Sequence, residues 1–187
     1  MSSFTLDLET IRAQARQSME QGAFTEANTI DRSIVLKMLD AALATEWVCV
    51  LRYSQHAATA TGIHSEAIAE HFAEHAQQEL QHAQSLAKRI HLLGGAPSLD
   101  PSALSAKAHS RYQECDSLVD MIKENLLAER IAIISYTEMI RHIGTSDPTT
   151  RRLLESILEV EEEHADELSA LLDTNTRSSR KNLGATH

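Results

Sequence analysis

At 187 residues with 42% hydrophobic content, the chain is long enough to bury one sizeable core, and no shift in composition divides it into two domains. Aromatics at 4%, with 6 glycines and 3 prolines, argue against a turn-rich sandwich or barrel and favour helices. A formal charge of −10 excludes a nucleic-acid footprint spread over the whole surface and suits the attraction of cations.

Cys49 and Cys115 form no CxxC pair and are too few for a disulfide framework, which fits a reducing cytoplasm. The start "MSSFTLDLET" lacks a basic region followed by an apolar one, and nowhere do 18 uncharged apolar residues run together. A soluble, cytoplasmic protein is expected.

Residues 1–28 read as an extension with one short helix, since Leu8, Ile11, Ala15 and Met19 recur at helical spacing within 5–21. The bundle proper is expected over 29–172. Its first long helix spans about 29–60, with Leu36, Leu39, Leu43, Val50 and Ala57 on one stripe, and "ATGIHS" breaks it. A second runs from Ser65, the expected N-cap, to Leu93, stopped by Gly94–Gly95 with Pro97 just beyond. The aperiodic stretch 96–114, with two prolines, reads as a crossover long enough to span the bundle. A third helix covers about 116–142, with Leu118, Ile122, Leu126, Ile133 and Ile140 in line. The fourth starts at Asp147–Pro148 and runs to about Leu172. The polar, mildly basic tail 173–187 is expected to be disordered. The fold class is all-α, an antiparallel four-helix bundle with one long crossover between its second and third helices.

Glu-x-x-His occurs twice, as Glu79/His82 and Glu161/His164, one pair each in the second and fourth helices. Residues three apart share a helical face, so each pair can aim at one point. Measured from the centre of the first hairpin, Glu46 lies as far before the turn as Glu79 lies after it. Glu129 and Glu161 are likewise placed about the second turn, so all four meet at one height. A mismatch of even four positions would separate them by roughly 6 Å. The stretches "EWVCVLRY" and "ERIAIISY" repeat a Glu, six residues, then Tyr, which places Glu46 beside Leu39, Val50 and Tyr53, and Glu129 beside Ile122, Ile133 and Tyr136.

Four converging buried carboxylates are strongly destabilising unless protonated or paired. No Lys or Arg shares their inward arcs, whereas two divalent cations balance them charge for charge. Carboxylates with one imidazole per ion suit iron or manganese, with zinc also able to occupy such sites.

The order Glu46, Glu79-x-x-His82, Glu129, Glu161-x-x-His164 resembles the bacterioferritin and Dps-like branch of the ferritin-like superfamily over about residues 30–172, and "IHLLGGAP" is similar to that family's text as well. The resemblance implies a ferroxidase in which Glu46 and His82 hold one iron, Glu129 and His164 the other, and Glu79 and Glu161 bridge them. Tyr53 falls where the family keeps a tyrosine near its metals. It further implies oxidation of Fe(II) by O2 or H2O2 and storage of Fe(III) in a hollow homo-oligomer. Leu80 stands where bacterioferritins carry a haem-ligating Met, so haem is not expected. The apolar fifth helix of the 24-subunit shells is absent, which favours a 12-mer. Two alternatives stand beside this reading. One is a Dps-like protector touching DNA through Arg177, Arg180 and Lys181. The other is a non-storing di-metal peroxidase or catalase. Cys49 reads as a buried structural thiol. His71 and His75 read as polar groups at a core edge, with an access route or a transient iron site as the other reading.

Overall fold

The computed structural model describes residues 4–184 apart from 26, 28, 63 and 64, with side chains up to residue 174. Among these every regular element is helical: α1 (Leu8–Gln14), a 3-10 turn (Met19–Gln21), α2 (Arg32–Thr59), α3 (Ser65–Leu92), α4 (Pro101–Lys107), α5 (Leu118–Ile143) and α6 (Pro148–Gly184). The four long helices form the expected bundle. Tyr53 and Glu46 of α2 touch Glu129 and Tyr136 of α5 respectively, so residue numbers rise on one helix as they fall on the other. His75 and Arg89 of α3 meet Glu167 and Thr150 of α6 in the same sense. Both α2/α5 and α3/α6 are therefore antiparallel pairs.

Local chemistry fixes the helix ends. Asp31 Oδ1 accepts from the Ser33 amide at 2.8 Å and opens α2, and the Ser117 hydroxyl oxygen accepts from the Asp120 amide at 3.2 Å and opens α5. Ser65 is the first helical residue of α3 and not its cap; the preceding position, His64, lies outside the described residues. At the other end of α3, Gly95 N–H donates to Ile90 O and Gly94 N–H to His91 O, both at 2.9 Å, with Gly94 at φ 76°. A Cβ on Gly95 would stand 2.6 Å from Leu36 Cδ2 and 3.2 Å from the Ile90 carbonyl oxygen, so a side chain there would force its neighbours to shift.

The short helix expected in the extension is α1, which buries no residue and leaves Leu8 and Ile11 exposed, so its apolar positions do not dock on the bundle of this protomer. Two parts of the chain differ from the sequence expectation. First, the crossover contains α4, opened by the Asp100 carboxylate accepting from the Ser102 amide at 3.0 Å, with Pro101 in the first turn. Second, α6 continues past Leu172 to Gly184. The side chains of Arg177, Arg180 and Lys181, and residues 185–187 altogether, lie outside the described residues.

The crossover runs lengthwise against α2 and is tied to it step by step. Asp40 accepts from the Ser98 amide and from Lys107 Nζ. Thr45 Oγ1 accepts from the His109 amide at 2.9 Å. Arg52 donates to Arg111 O at 3.0 Å, and His56 Nε2 lies 3.1 Å from Gln113 O. Arg52 Nε also reaches Asn125 Oδ1 on α5 at 2.9 Å, and Asn125 Nδ2 meets His56 Nδ1 at 3.1 Å. Asn125 thus fixes the His56 tautomer, with Nε2–H left to donate to Gln113.

Two apolar clusters fill the bundle. One, towards the α5–α6 turn, gathers Leu39, Leu43, Leu86, Ile143 and Leu154. The other, towards the α2–α3 turn, gathers Tyr53, Phe72, Ile122 and Leu168. Val50 and Ile133 prove half-buried; the inward positions one turn after Glu46 and Glu129 are the smaller Cys49 and Ala132. At the first end Arg89 is buried and donates to both oxygens of Asp147 at 2.9 Å and to Thr150 Oγ1 at 2.7 Å. The same Asp147 accepts from the Thr150 amide at 3.0 Å, so one carboxylate caps α6 and clamps α3. Asp147→Ala leaves a buried guanidinium without its counter-charge and is expected to destabilise the chain by about 3 kcal/mol or more, read as a lower denaturant midpoint with an unchanged slope.

Candidate metal centre

Between the two apolar clusters lies a polar layer of Glu46, Glu79, His82, Glu129, Glu161 and His164, none more than 8% exposed. The structure brings all six together, each helix contributing from its middle. Glu46, Glu79, His82 and Glu161 offer ligand atoms within 4.8 Å of one another; so do Glu79, Glu129, Glu161 and His164. The two groups share Glu79 and Glu161. Glu79 turns Oε2 to His82 Nδ1 at 3.2 Å and Oε1 to His164 Nδ1 at 3.4 Å. Glu161 divides its oxygens in the same way, Oε1 to His82 at 3.0 Å and Oε2 to His164 at 3.9 Å.

Tyrosines hold the two outer carboxylates, each from the opposite hairpin. Tyr53 OH donates to Glu129 Oε1, and Tyr136 OH donates to Glu46 Oε1. Tyr53 therefore serves Glu129 and not the glutamate of its own helix. Tyr136 was legible only as the mirror of Tyr53 in the repeated octapeptide. Burial, then the neighbouring glutamates, push both phenols well above their usual pKa, so they stay neutral donors. His164 Nε2 lies 2.8 Å from Gln78 Oε1, which fixes the ring with Nδ1 facing the centre.

Arg52 is a buried cation one turn from the site that sequence reasoning passed over. Its donors go to Asn125, to Arg111 O and to Cys49 Sγ, so it pins the crossover and does not pair the four acids. Cys49 is buried and free, with Ser110 Oγ 3.7 Å from its sulfur; burial raises its pKa well above the usual value and keeps it a neutral thiol. His71 lies at the edge of the core as expected, whereas His75 does not. His75 is buried, lies flat against His164 with ring centroids 3.9 Å apart, and reaches Tyr53 OH and Glu167. Burial, reinforced by His164, lowers its pKa.

The electrostatics of the bare cluster are those of a site short of positive charge. Burial, then the charge of Glu79, raises Glu46, Glu129 and Glu161, the first and last of them strongly. Burial opposes ionisation of Glu79 too, but its neighbours Glu46, His164 and His82 hold it below the usual carboxylate range. His82 is pushed up to about 10 against its burial by Glu46 and Glu79. Glu79 Oε1, Glu129 Oε2, Glu161 Oε1 and His164 Nδ1 are buried without a hydrogen-bond partner. Buried polar atoms are rarely left so, and four orphaned acceptors facing one spot fit a cationic occupant. Oxygen donors with one imidazole at each end suit a divalent first-row metal.

An antiparallel four-helix bundle whose core is interrupted by a layer of paired carboxylates and imidazoles defines the class of the molecule. The chain belongs to the ferritin-like domain family, whose pattern matches residues 36–178. It is similar to a DNA protection during starvation protein of Pyrococcus furiosus, 32% identical over 142 residues that make up 74% of this chain and 77% of that one. Among solved structures it resembles a dodecameric thioferritin, the bacterioferritin-related protein of Bacteroides fragilis. That likeness has a TM-score of 0.76 at 31% identity and covers 84% of this chain and 94% of the other. A ferritin-like, diiron-carboxylate protein of Bacillus anthracis superposes with a TM-score of 0.68 at 26% identity, over 77% of this chain and 99% of that one.

Proposed function

We propose that the chain is a ferroxidase that stores iron: each subunit takes up two Fe(II), passes one electron from each to O2 or H2O2, and delivers Fe(III) to a mineral inside a hollow oligomer. The observation that carries this reading is the division of Glu79 and Glu161, each with one oxygen towards His82 and the other towards His164. Two ions side by side make use of all four oxygens; one ion cannot. Glu46 and His82 then hold one Fe(II), Glu129 and His164 the other, and Glu79 and Glu161 bridge. Tyr53 and Tyr136 steady the outer carboxylates and leave each a second oxygen for the ion. Two electrons with two protons reduce O2 to H2O2, or H2O2 to two waters, so two Fe(II) match either oxidant. Manganese and zinc fit the same donors.

The kinship with a dodecameric relative supports a shell of twelve subunits over twenty-four. The free cysteines suit a reducing cytoplasm. Among the described residues no helix is long and apolar enough to cross a membrane. The name of the Pyrococcus relative favours a second reading, protection of DNA, against which the charge of −10 weighs.

Iron loading tests the reading. Purified protein given Fe(II) in air is expected to oxidise it rapidly, to retain far more than two iron atoms per subunit, and to show electron-dense cores within particles of dodecameric mass. Rapid oxidation with no more than two atoms retained and no core would overturn storage and point to a non-storing di-metal oxidase.

A further inference from the structure

A third group of ligand atoms stands one to two turns from the centre, towards the α2–α3 turn. His71, His75 and Glu167 each offer a ligand atom within 4.8 Å of the others, and Glu167 Oε2 lies 3.7 Å from His71 Nδ1 and 3.0 Å from His75 Nε2. His71 and Glu167 are half-exposed, while His75 is buried. We propose that these three residues form a third divalent-cation site, open to solvent on one side and joined through His75 to the di-metal centre.

Proton bookkeeping around His75 is the first argument. Tyr53 gives its only proton to Glu129. His75 Nδ1, 3.2 Å from that hydroxyl oxygen, can therefore make a hydrogen bond only by donating to it. A neutral imidazole has one N–H, so the Nε2 facing Glu167 Oε2 at 3.0 Å is then a bare lone pair against a carboxylate. A cation between them satisfies both atoms. Two metal bonds of about 2.1 Å at a right angle span about 3.0 Å, which is the separation found. His71 Nδ1 is shielded from solvent, lacks a hydrogen-bond partner, and faces the same Glu167 oxygen at 3.7 Å. Two imidazoles and a carboxylate on one side of an ion, with the other side open, suit Fe(II), Co(II) or Zn(II).

The pseudo-repeat is the second argument. The register that pairs Glu79 with Glu161 and His82 with His164 pairs His71 with Leu153, His75 with Ile157 and Glu167 with Ser85. The mirror of His75 is a buried isoleucine of the apolar core. Packing at the equivalent position of the repeat therefore does not demand histidine; one half carries metal-binding side chains where the other has Leu153, Ile157 and Ser85. The ligand groups also overlap in sequence towards the interior. His75 belongs to the outer group and to one with Glu129 and His164, and those two belong in turn to the di-metal centre. Each group inward shares at least one residue with the one before it.

The outer site stands on its own geometry, and only its destination rests on the di-metal reading. Equilibrium dialysis of the full chain against Co(II), followed by metal analysis, separates the two. Wild type is expected to bind three ions per subunit and the His71→Ala/Glu167→Gln double variant two. Glu79→Ala is expected to keep the outer ion. Crystals soaked in Co(II) should give an anomalous peak between His71, His75 and Glu167. Wild type binding a single ion that the double variant loses would support the outer site and refute the inner pair. Equal stoichiometry in wild type and double variant, with no anomalous peak at the three residues, would overturn the proposal.

Discussion

Alanine at Glu79 is expected to abolish rapid Fe(II) oxidation, with the stopped-flow rate falling more than about 100-fold. Removing a group that merely orients a metal ligand costs about 10–100-fold, and Glu79 is the side chain turned towards both imidazoles at once. Glu79→Gln, which keeps the volume but offers one weaker oxygen in place of two charged ones, should fall nearly as far. Helix content in both variants should match wild type, because the surrounding packing of Phe72, Ala83 and Leu86 is untouched. Glu66→Ala, on the solvent face of the same helix, serves as the control and should leave the rate unaltered. An unchanged rate in Glu79→Ala would refute the assignment of the centre.

Stripped of metal, the chain is expected to lose stability as pH rises, the reverse of ordinary acid denaturation. Glu46, Glu129 and Glu161 have folded pKa values raised above the ordinary carboxylate value of 4.5, by burial first and by Glu79 next. His82 is raised from 6.5 to about 10 by Glu46 and Glu79, against its burial. In each of these groups the folded state binds protons more tightly than the unfolded chain. Their favourable contribution is complete below the unfolded pKa and drains away as pH climbs through the folded one. The loss therefore begins near pH 4.5 with the carboxyls and continues from 6.5 to about 10 with His82. Glu79, whose pKa is lowered, works in the opposite sense, but at lower pH, with its share complete above 4.5.

Two divalent cations replace those protons, so loading near neutral pH should release protons to buffer. At about a thousandfold excess over Kd a bound ligand adds about 4 kcal/mol, which for a chain of this size is about 10 °C in Tm. Differential scanning calorimetry of the chelated and the Co(II)-loaded protein, at steps from about pH 5 to 9, should show the gap widening with pH. Coincident curves, or a chelated protein most stable at the alkaline end, would remove the electrostatic account of the site.

The convergence of the six side chains was legible in the sequence because it is periodic. Glu79 and His82, or Glu161 and His164, three apart, must share a helical face whatever the helix packs against. Equal spacing about two turns brings Glu46 level with Glu79 and Glu129 level with Glu161 on geometry alone. The long-helix bounds followed from the apolar stripe of 29–60, from Gly94–Gly95 and from Asp147–Pro148 within a few residues, since caps and breakers act locally. The short α4 could have been foreseen from Asp100–Pro101–Ser102, a cap and a first-turn proline, but too few residues follow to show a period.

What only the tertiary structure decided are the contacts between elements far apart in the chain, which periodicity does not encode. The sequence places Tyr53 on the face of Glu46; the bundle hands its hydroxyl to Glu129, because on adjacent antiparallel helices side chains level with one another belong to different strands of the repeat. Nothing in the periodicity singles out Arg52; the crossover closes over it and offers the Arg111 carbonyl. Asp147 announced itself as a cap and proved to be a clamp on Arg89 as well. His71, His75 and Glu167 come from two helices that meet only when the hairpins pack, and pairing between such positions is set by the crossing of the helices and not by either one's own register.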